Sequence, residues 1–221
     1  MFRHVRCVLF DLDGTLIDSA LDLGLAADEM RVARGLPSLP AAAYRASAGS
    51  GARGMLAVAF GLSPQHDAFN ALREEFLDRY EQRITRLTRL FEDVEHLLST
   101  LNQRGVAWGV VTNKHRRFTL PLTTAMPIFG SAGAIVCGDT TPHSKPHPGP
   151  LLEAMRQLCV QARDCLYVGD DVRDMQAGRA AGVATVAASY GYLGPDADIA
   201  RWPADAVIDR PAELLKLIDL A

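Results

Sequence analysis

The stretch Val8-Leu9-Phe10-Asp11-Leu12-Asp13-Gly14-Thr15 decides how the rest of the chain is interpreted. An apolar run ends there in two aspartates one residue apart, followed by a glycine that permits a sharp turn. At about 5 Å and an effective dielectric near 20, two carboxylates repel each other by roughly 3 kcal/mol. Such a pair needs a cation or a proton, so the pattern indicates a site for charged ligands. The plainer alternative is a solvated turn with helix-capping acids.

Short apolar runs alternate with helical stretches along most of the remaining chain. Continuous apolar runs are typical of parallel strands that helices cover on both faces. The sequence therefore predicts an α/β fold with a doubly wound, Rossmann-like parallel sheet. The predicted strands are residues 6–10, 107–111, 134–137, 165–168, 183–187 and 206–208, with helices at 91–104, 149–160 and 171–181.

One interval breaks this alternation. About 100 residues separate Asp11 from Thr112, whereas a crossover between parallel strands needs only about a dozen. Most of the excess has a helical pattern, including residues 20–34 and the apolar residues that recur from Phe69 to Ile84. We therefore predict a helical domain at residues 17–88, with hinges near 17–19 and 88–90. The α/β core is predicted to comprise residues 1–16 and 89–221.

Polar and charged residues follow three further predicted strands. In chain order they are Thr112 and Asn113, then Ser144-Lys145-Pro146, then Asp170, Asp171 and Asp174. Ligands of a doubly wound sheet bind outside the carboxyl ends of its strands, so these groups are expected to meet the two aspartates of the first strand. Carboxylates, hydrogen-bond donors and one lysine form a set suited to a divalent cation and a phosphate.

These four stretches resemble the four motifs of the haloacid dehalogenase superfamily, in order and in spacing. The resemblance covers essentially the whole chain, because the helical insertion looks like that family's cap domain. Within the superfamily the chain looks most like the phosphoglycolate phosphatases and strongly like the related bacterial N-acetylmuramic acid 6-phosphate phosphatases. The stretches that carry this similarity are Gly51-Ala52-Arg53-Gly54-Met55, Leu90-Phe91-Glu92, Trp108-Gly109-Val110-Val111-Thr112-Asn113-Lys114 and Tyr190-Gly191-Tyr192.

The resemblance implies a Mg²⁺-dependent hydrolase of small phosphomonoesters that works through a phosphorylated aspartate. Asp11 would be the nucleophile, and Asp13 would act first as general acid and then as general base. Thr112 and Asn113 would donate hydrogen bonds to the phosphoryl oxygens. Lys145 would neutralise charge on the phosphate and on the nucleophile.

The resemblance also implies a ligand set for the metal. Mg²⁺ would be held by the carboxylates of Asp11 and Asp170 and by the main-chain carbonyl of Asp13. Asp171 or Asp174 would contact metal-bound water. Asp171 stands where many relatives have Ser or Thr, so its part in the site is the least defined.

Two weaker signals lie outside these motifs. Gly49-Ser50-Gly51-Ala52-Arg53-Gly54 matches a dinucleotide-binding pattern, but it follows an alanine-rich helical stretch and lacks the preceding strand that such a site needs. We interpret it as a substrate-facing loop, with Gly51 and Arg53 as substrate-binding residues; a plain turn is the alternative. Lys114-His115-Arg116-Arg117 is either a solvated helix face or a source of positive potential at the substrate entrance.

The composition of the chain limits the class of protein and the partners that it can have. The 221 residues are 48% hydrophobic and 22% charged, as in ordinary globular proteins. A net charge of −3 argues against general binding to nucleic acid or to anionic membranes. Four cysteines without a CxxC pair indicate small apolar residues, and no signal peptide or membrane-length apolar run is apparent. We expect a cytoplasmic monomer or homodimer acting on a small phosphorylated metabolite.

Three other classes of protein stay open at this point. A phosphomutase of the same superfamily would share the motifs but return a phosphorylated product. A dehalogenase would lack Asp13 and the metal requirement. A non-catalytic binding protein would not need an intact acid/base residue beside the nucleophile.

Overall fold

The structure is a computed structural model that describes residues 1–194 and 197–219. Its strands are β1 (Cys7–Phe10), β2 (Ile17–Asp18), β3 (Arg89–Leu90), β4 (Ala107–Val111), β5 (Ala134–Val136), β6 (Cys165–Gly169), β7 (Ala184–Ala188) and β8 (Ala206–Ile208). Its α-helices are α1 (Ala20–Val32), α2 (Ala41–Arg45), α3 (Gly51–Phe60), α4 (Phe69–Glu81), α5 (Val94–Gln103), α6 (Arg116–Ala125), α7 (Gly149–Leu158), α8 (Val172–Ala181) and α9 (Leu214–Leu217).

Within the described residues, six strands form one parallel sheet in the order β5-β4-β1-β6-β7-β8. β1 lies between β4 and β6, and all four of its residues are buried. The predicted α/β class and doubly wound parallel sheet are therefore confirmed, and the six predicted strands match to within about two residues. The central position of β1 follows from its unbroken apolar run, which suits a strand covered on both faces.

The helices α1 to α4 lie between β2 and β3, inside the segment of residues 17–88, which we call the helical insert. β2 and β3 pair in an antiparallel ribbon, with Ile17 opposite Leu90 and Asp18 opposite Arg89. The chain thus enters and leaves the helical insert side by side. The domain boundaries given above stay a prediction.

The segment 49–54 differs from the predicted loop. Residues Ala48–Ser50 form one 3₁₀ turn, and Gly51 begins α3. The ten residues of α3 include several Ala, Leu and Met side chains, which are strong helix formers and outweigh the two glycines. Among the described helices, none combines the length and the apolar content needed to cross a membrane.

A buried carboxylate closes the base of the helical insert. Asp22, in the first turn of α1, is fully buried. It accepts hydrogen bonds from the backbone N–H groups of Leu87 and Thr88, at 2.9 and 2.8 Å, and from the Thr88 hydroxyl at 2.9 Å. Arg83 lies 3.4 Å from the same carboxylate. The start of α1 is thereby fastened to the segment that returns to the core.

Replacing Asp22 with Ala should lower the free energy of unfolding by about 3 kcal/mol, because it leaves two backbone N–H groups and the Thr88 hydroxyl without their buried acceptor. Urea denaturation followed by circular dichroism measures the loss. The matched control is Asp67→Ala, at an exposed position, which should change the value by less than about 0.5 kcal/mol. Equal effects of the two substitutions would contradict a structural role for Asp22.

Candidate active site

The turn after β1 places the two aspartates at the carboxyl edge of the sheet. The backbone N–H of Asp11 donates to the carbonyl of Val168 at 2.8 Å, which joins the end of β1 to the end of β6. Gly14 has a φ of +86°, and a Cβ at this position would collide with the Asp170 carboxylate. A glycine is therefore required both for the turn and for the close approach of Asp170.

Lys145 is the cation at the centre of this edge. Its side chain is 2% exposed, and its ammonium lies 2.8 Å from Asp11 Oδ1 and 2.7 Å from Asp174 Oδ1. It also donates to the Val111 carbonyl at 2.9 Å and to the Tyr167 hydroxyl at 2.8 Å. Burial alone would lower the pKa of Lys145, but the two aspartates outweigh burial and raise it. The lysine is therefore held as a cation.

Three carboxylates converge beside it. Asp11, Asp170 and Asp174 each offer an oxygen, and these oxygens lie within 4.8 Å of one another. Burial raises the pKa of Asp11 to about 6, although Lys145 opposes the shift. Burial and the repulsion from Asp11 and Asp174 raise the pKa of Asp170 well above its usual range. A cluster of oxygen ligands that is short of positive charge fits a hard divalent cation such as Mg²⁺.

The Asp170 carboxylate is held from several sides. The Thr15 hydroxyl donates to its Oδ1 at 3.0 Å, and the backbone N–H of Tyr192 donates to its Oδ2 at 2.7 Å. Gly191 lies against the same side chain, where a Cβ would collide with Asp170. Gly191 and Tyr192 belong to one of the stretches that carry the family resemblance, which implies no particular role for either residue. Their contacts show that they fix a prospective metal ligand.

Asp171 and Asp174, which the sequence predicts as alternatives for contacting metal-bound water, occupy different places. Asp174 lies in the carboxylate cluster and is 1% exposed. Asp171 caps the start of α8 and pairs with Arg173, whose guanidinium lies 2.6 Å from Asp171 Oδ2. Arg173 and the backbone N–H of Arg173 lower the pKa of Asp171 despite its burial. Helix capping and the ion pair with Arg173 account for the hydrogen bonds of Asp171, which also lines the cavity beside the cluster.

Asn113 is hydrogen-bonded to the backbone of Lys145. Its Oδ1 accepts from the backbone N–H of Lys145 at 2.9 Å, and its Nδ2 donates to the Lys145 carbonyl at 3.0 Å. These two hydrogen bonds position Lys145, and they leave one N–H of the amide for a ligand. Thr112 follows β4, lines the cavity, and accepts from the backbone N–H of Lys114 at 3.1 Å.

Asp13 lies apart from the carboxylate cluster but faces the same cavity. Its two oxygens lie 3.0 and 3.1 Å from the ammonium of Lys114, and the Ser19 hydroxyl also donates to it. Lys114 was not predicted as a site residue. Its sequence signals were its place at the end of the Trp108–Lys114 stretch of resemblance and at the start of the basic run after Asn113.

A cavity of about 280 Å³ joins these groups to the helical insert. Gly51 lines it from the insert, opposite Asp11 and Lys145. Arg53 instead lines an adjoining groove of about 670 Å³ between α3, α4 and α6, and its side chain is exposed. The structure thus brings the predicted core residues and Gly51 to one cavity, with Arg53 beside it.

A parallel sheet with two aspartates after its central strand, a buried lysine and an acidic cluster at its carboxyl edge is the arrangement that the resemblance to haloacid dehalogenase hydrolases implies. The family model for haloacid dehalogenase-like hydrolases matches residues 8–188, well over half of the chain. The chain belongs to this family.

Individual relatives agree with that assignment. An N-acetylmuramic acid 6-phosphate phosphatase of Pseudomonas aeruginosa is 42% identical over 218 residues, covering 99% of this chain and 96% of the relative. A phosphoglycolate phosphatase of Xanthomonas campestris pv. campestris is 43% identical over 212 residues, covering 96% of each chain. A crystal structure described as a predicted phosphoglycolate phosphatase from Haemophilus somnus superposes with a TM-score of 0.84 at 28% identity, covering 97% of this chain and 98% of that one.

Replacing Gly191 with Ala should weaken Mg²⁺ binding about tenfold or more, because the new Cβ displaces Asp170 and support residues of a metal ligand carry effects of this size. Calorimetric titration of the protein with Mg²⁺ measures the affinity without relying on turnover. Gly130→Ala is the matched control, since nothing lies within 4 Å of its added Cβ. Unchanged affinity in the Gly191 variant would contradict a metal site at Asp170.

Proposed function

We propose that this chain hydrolyses small phosphomonoesters with Mg²⁺, using Asp11 as the nucleophile. The observation that carries the proposal is the placing of Asp11 between Lys145, 2.8 Å away, and the acidic cluster it forms with Asp170 and Asp174. Asp13 faces the same cavity without joining that cluster. A nucleophile, a fixed cation, a metal site and a separate proton-transfer group are what phosphoryl transfer requires.

In the first half of the proposed reaction, a carboxylate oxygen of Asp11 bonds to phosphorus while the bond from phosphorus to the substrate's alkoxide oxygen breaks. Asp13 gives its proton to the departing alkoxide. Lys145 and the N–H and O–H donors at the ends of the strands stabilise the negative charge on the phosphoryl oxygens. Bound Mg²⁺ would add positive charge opposite the same oxygens, held by Asp11, Asp170, the Asp13 carbonyl and Asp174, directly or through water.

In the second half, water attacks phosphorus and the bond from phosphorus to Asp11 breaks. Asp13, now ionised, takes the proton from the water and is ready for the next turnover. The products are an alcohol, free phosphate and the original Asp11 carboxylate. Thr112 lines the cavity and offers its hydroxyl to the phosphoryl group.

The helical insert is proposed to act as a cap over the cavity, which excludes water during phosphoryl transfer and opens for release. Support comes from Gly49, Ser50 and Gly51, which line the cavity from the insert. We also propose residues 17–88 as a separate domain and the cytoplasm as the compartment. The substrate is proposed to be a small phosphorylated metabolite.

Phosphoglycolate is the proposed substrate, as in the relatives that carry that name. N-acetylmuramic acid 6-phosphate is the second candidate, since another relative of similar identity is named for it. The observation in favour of this second candidate is the adjoining groove of about 670 Å³, which has room for a leaving group larger than glycolate. Arg53 suits the carboxylate that both compounds carry, because it makes no ion pair or hydrogen bond with any of the residues described.

Asp11→Asn should reduce phosphate release by about 10³-fold or more, because the amide is a poor nucleophile and the change also removes a metal ligand. Malachite-green detection of free phosphate measures turnover and separates a phosphatase from a mutase, whose product stays phosphorylated. Asp67→Asn serves as the matched control. Retained turnover in the Asp11 variant would exclude the covalent mechanism.

Arg53→Ala should raise KM for the physiological substrate about tenfold with little change in kcat, because the lost contact is made equally in the ground state and the transition state. Comparing kcat/KM for phosphoglycolate and N-acetylmuramic acid 6-phosphate, in the wild type and the variant, identifies the better substrate. Arg163→Ala, at an exposed position near the opposite end of the sheet, is the control. An unchanged KM for both compounds would remove Arg53 from the substrate site.

A further inference from the structure

Lys114 differs from the basic residues that follow it in the sequence. His115, Arg116 and Arg117 are exposed, whereas the Lys114 side chain is 10% exposed. The alternative of a solvated helix face therefore does not apply to this lysine. Its ammonium lies within hydrogen-bonding distance of both carboxylate oxygens of Asp13, at 3.0 and 3.1 Å.

The opposite side of this ammonium faces the helical insert. Nζ of Lys114 lies 4.7 Å from the ring centroid of Tyr80, on α4. Tyr80 is 2% exposed, stacks on Phe76, and packs against Phe118 of α6 with ring centroids 5.6 Å apart. Lys114 is thus enclosed between the Asp13 carboxylate and an aromatic face of the insert. Both contacts stabilise the positive charge of an ammonium that is largely shielded from water.

A second group from the insert completes the support of Asp13. Ser19 precedes α1, is fully buried, and donates its hydroxyl to Asp13 Oδ1. The carboxylate is therefore held by Lys114 from the core and by Ser19 from the base of the insert. A proton-transfer group works only when its oxygen is held within reach of the reacting atom, and small displacements reduce the rate strongly.

The two lysines at this edge of the sheet pair with different aspartates. Lys145 already supplies a cation beside Asp11, whereas Lys114 directs its ammonium at the two oxygens of Asp13. We propose that Lys114 is a positioning residue that orients Asp13 for proton transfer to the leaving group, and that the Tyr80 ring holds Lys114 in place when the insert packs on the core. This inference rests on the proposed function, because it assumes that Asp13 is the acid.

The test compares two substrates for Lys114→Met. An alkyl phosphate needs a proton on its leaving oxygen, whereas p-nitrophenolate leaves without one. kcat/KM covers the steps up to release of the first product, so it isolates the acid step from later hydrolysis. We expect kcat/KM to fall about 30-fold or more for an alkyl phosphate and by less than about threefold for p-nitrophenyl phosphate, since general acids contribute about 10²–10⁴-fold. A structural defect would lower both values equally.

The controls separate this inference from the proposed function. Lys216→Met makes the same change at an exposed lysine on α9 and should leave both substrates at wild-type rates. Asp13→Asn should show a larger loss with the same preference for the alkyl phosphate. The double variant of Lys114 and Asp13 should be no slower than Asp13→Asn alone, because one residue acts through the other.

Each result that differs from these expectations identifies the claim that is wrong. If Asp13→Asn loses both substrates equally, the proposed role of Asp13 fails. If Asp13→Asn is selective but Lys114→Met is not, only the present inference fails. A rise in KM for both substrates in Lys114→Met would make Lys114 a substrate-binding cation and would overturn its positioning role.

Tyr80 provides an independent arm. Tyr80→Leu removes the ring that covers the ammonium, and Tyr80→Phe keeps it. We expect a selective loss of alkyl phosphate turnover of about threefold to tenfold for Tyr80→Leu, and a smaller loss for Tyr80→Phe. Equal losses in the two variants would show that the ring does not support Lys114.

Discussion

The site depends on charge balance in a buried space. Asp11, Asp170 and Asp174 bring their oxygens within 4.8 Å of one another, and unshielded repulsion at such distances costs several kcal/mol per pair. Lys145 offsets part of it by contacting Asp11 and Asp174 at once, and two neutral oxygens fix its ammonium. The remaining negative charge raises the pKa of Asp11 and of Asp170. The same unbalanced charge makes the site suited to a divalent cation.

Hydrogen bonds from distant parts of the chain hold this arrangement in place. Tyr192 contributes most directly, because its backbone N–H holds Asp170 while its hydroxyl accepts from the backbone N–H groups of Ser19 and Ala20, at 2.7 and 3.0 Å. One residue therefore joins a prospective metal ligand to the start of α1. Ser19 also contacts Asp13, so the base of the insert is hydrogen-bonded both to Tyr192 and to a side chain of the proposed active site. The position of the insert is thereby linked to the geometry of the site.

Several features of the site could be predicted from sequence because topology enforces them. Parallel strands end at one edge, so polar residues after β1, β4 and β6, and in the loop after β5, had to converge there. The contacts of Asp171 and Asn113 were harder to predict from sequence, because Asp and Asn side chains suit both ligand binding and local hydrogen bonding. Asp171 caps α8, and Asn113 holds the Lys145 backbone. A short polar side chain reveals its partner only when the neighbouring loop is in place.

The sequence alone determined the α/β class, the six parallel strands, the helical insert and the Asp11-Leu12-Asp13 motif, because each depends on local periodicity or on residues adjacent in the chain. Tertiary structure alone decided that Lys114 is buried against Asp13 and Tyr80, that Asp174 and not Asp171 joins the carboxylate cluster, and that α3 replaces a loop. Those outcomes depend on burial and on contacts between residues far apart in sequence. No local sequence pattern shows which residue of the basic run 114–117 will be covered by a helix that is distant in the chain.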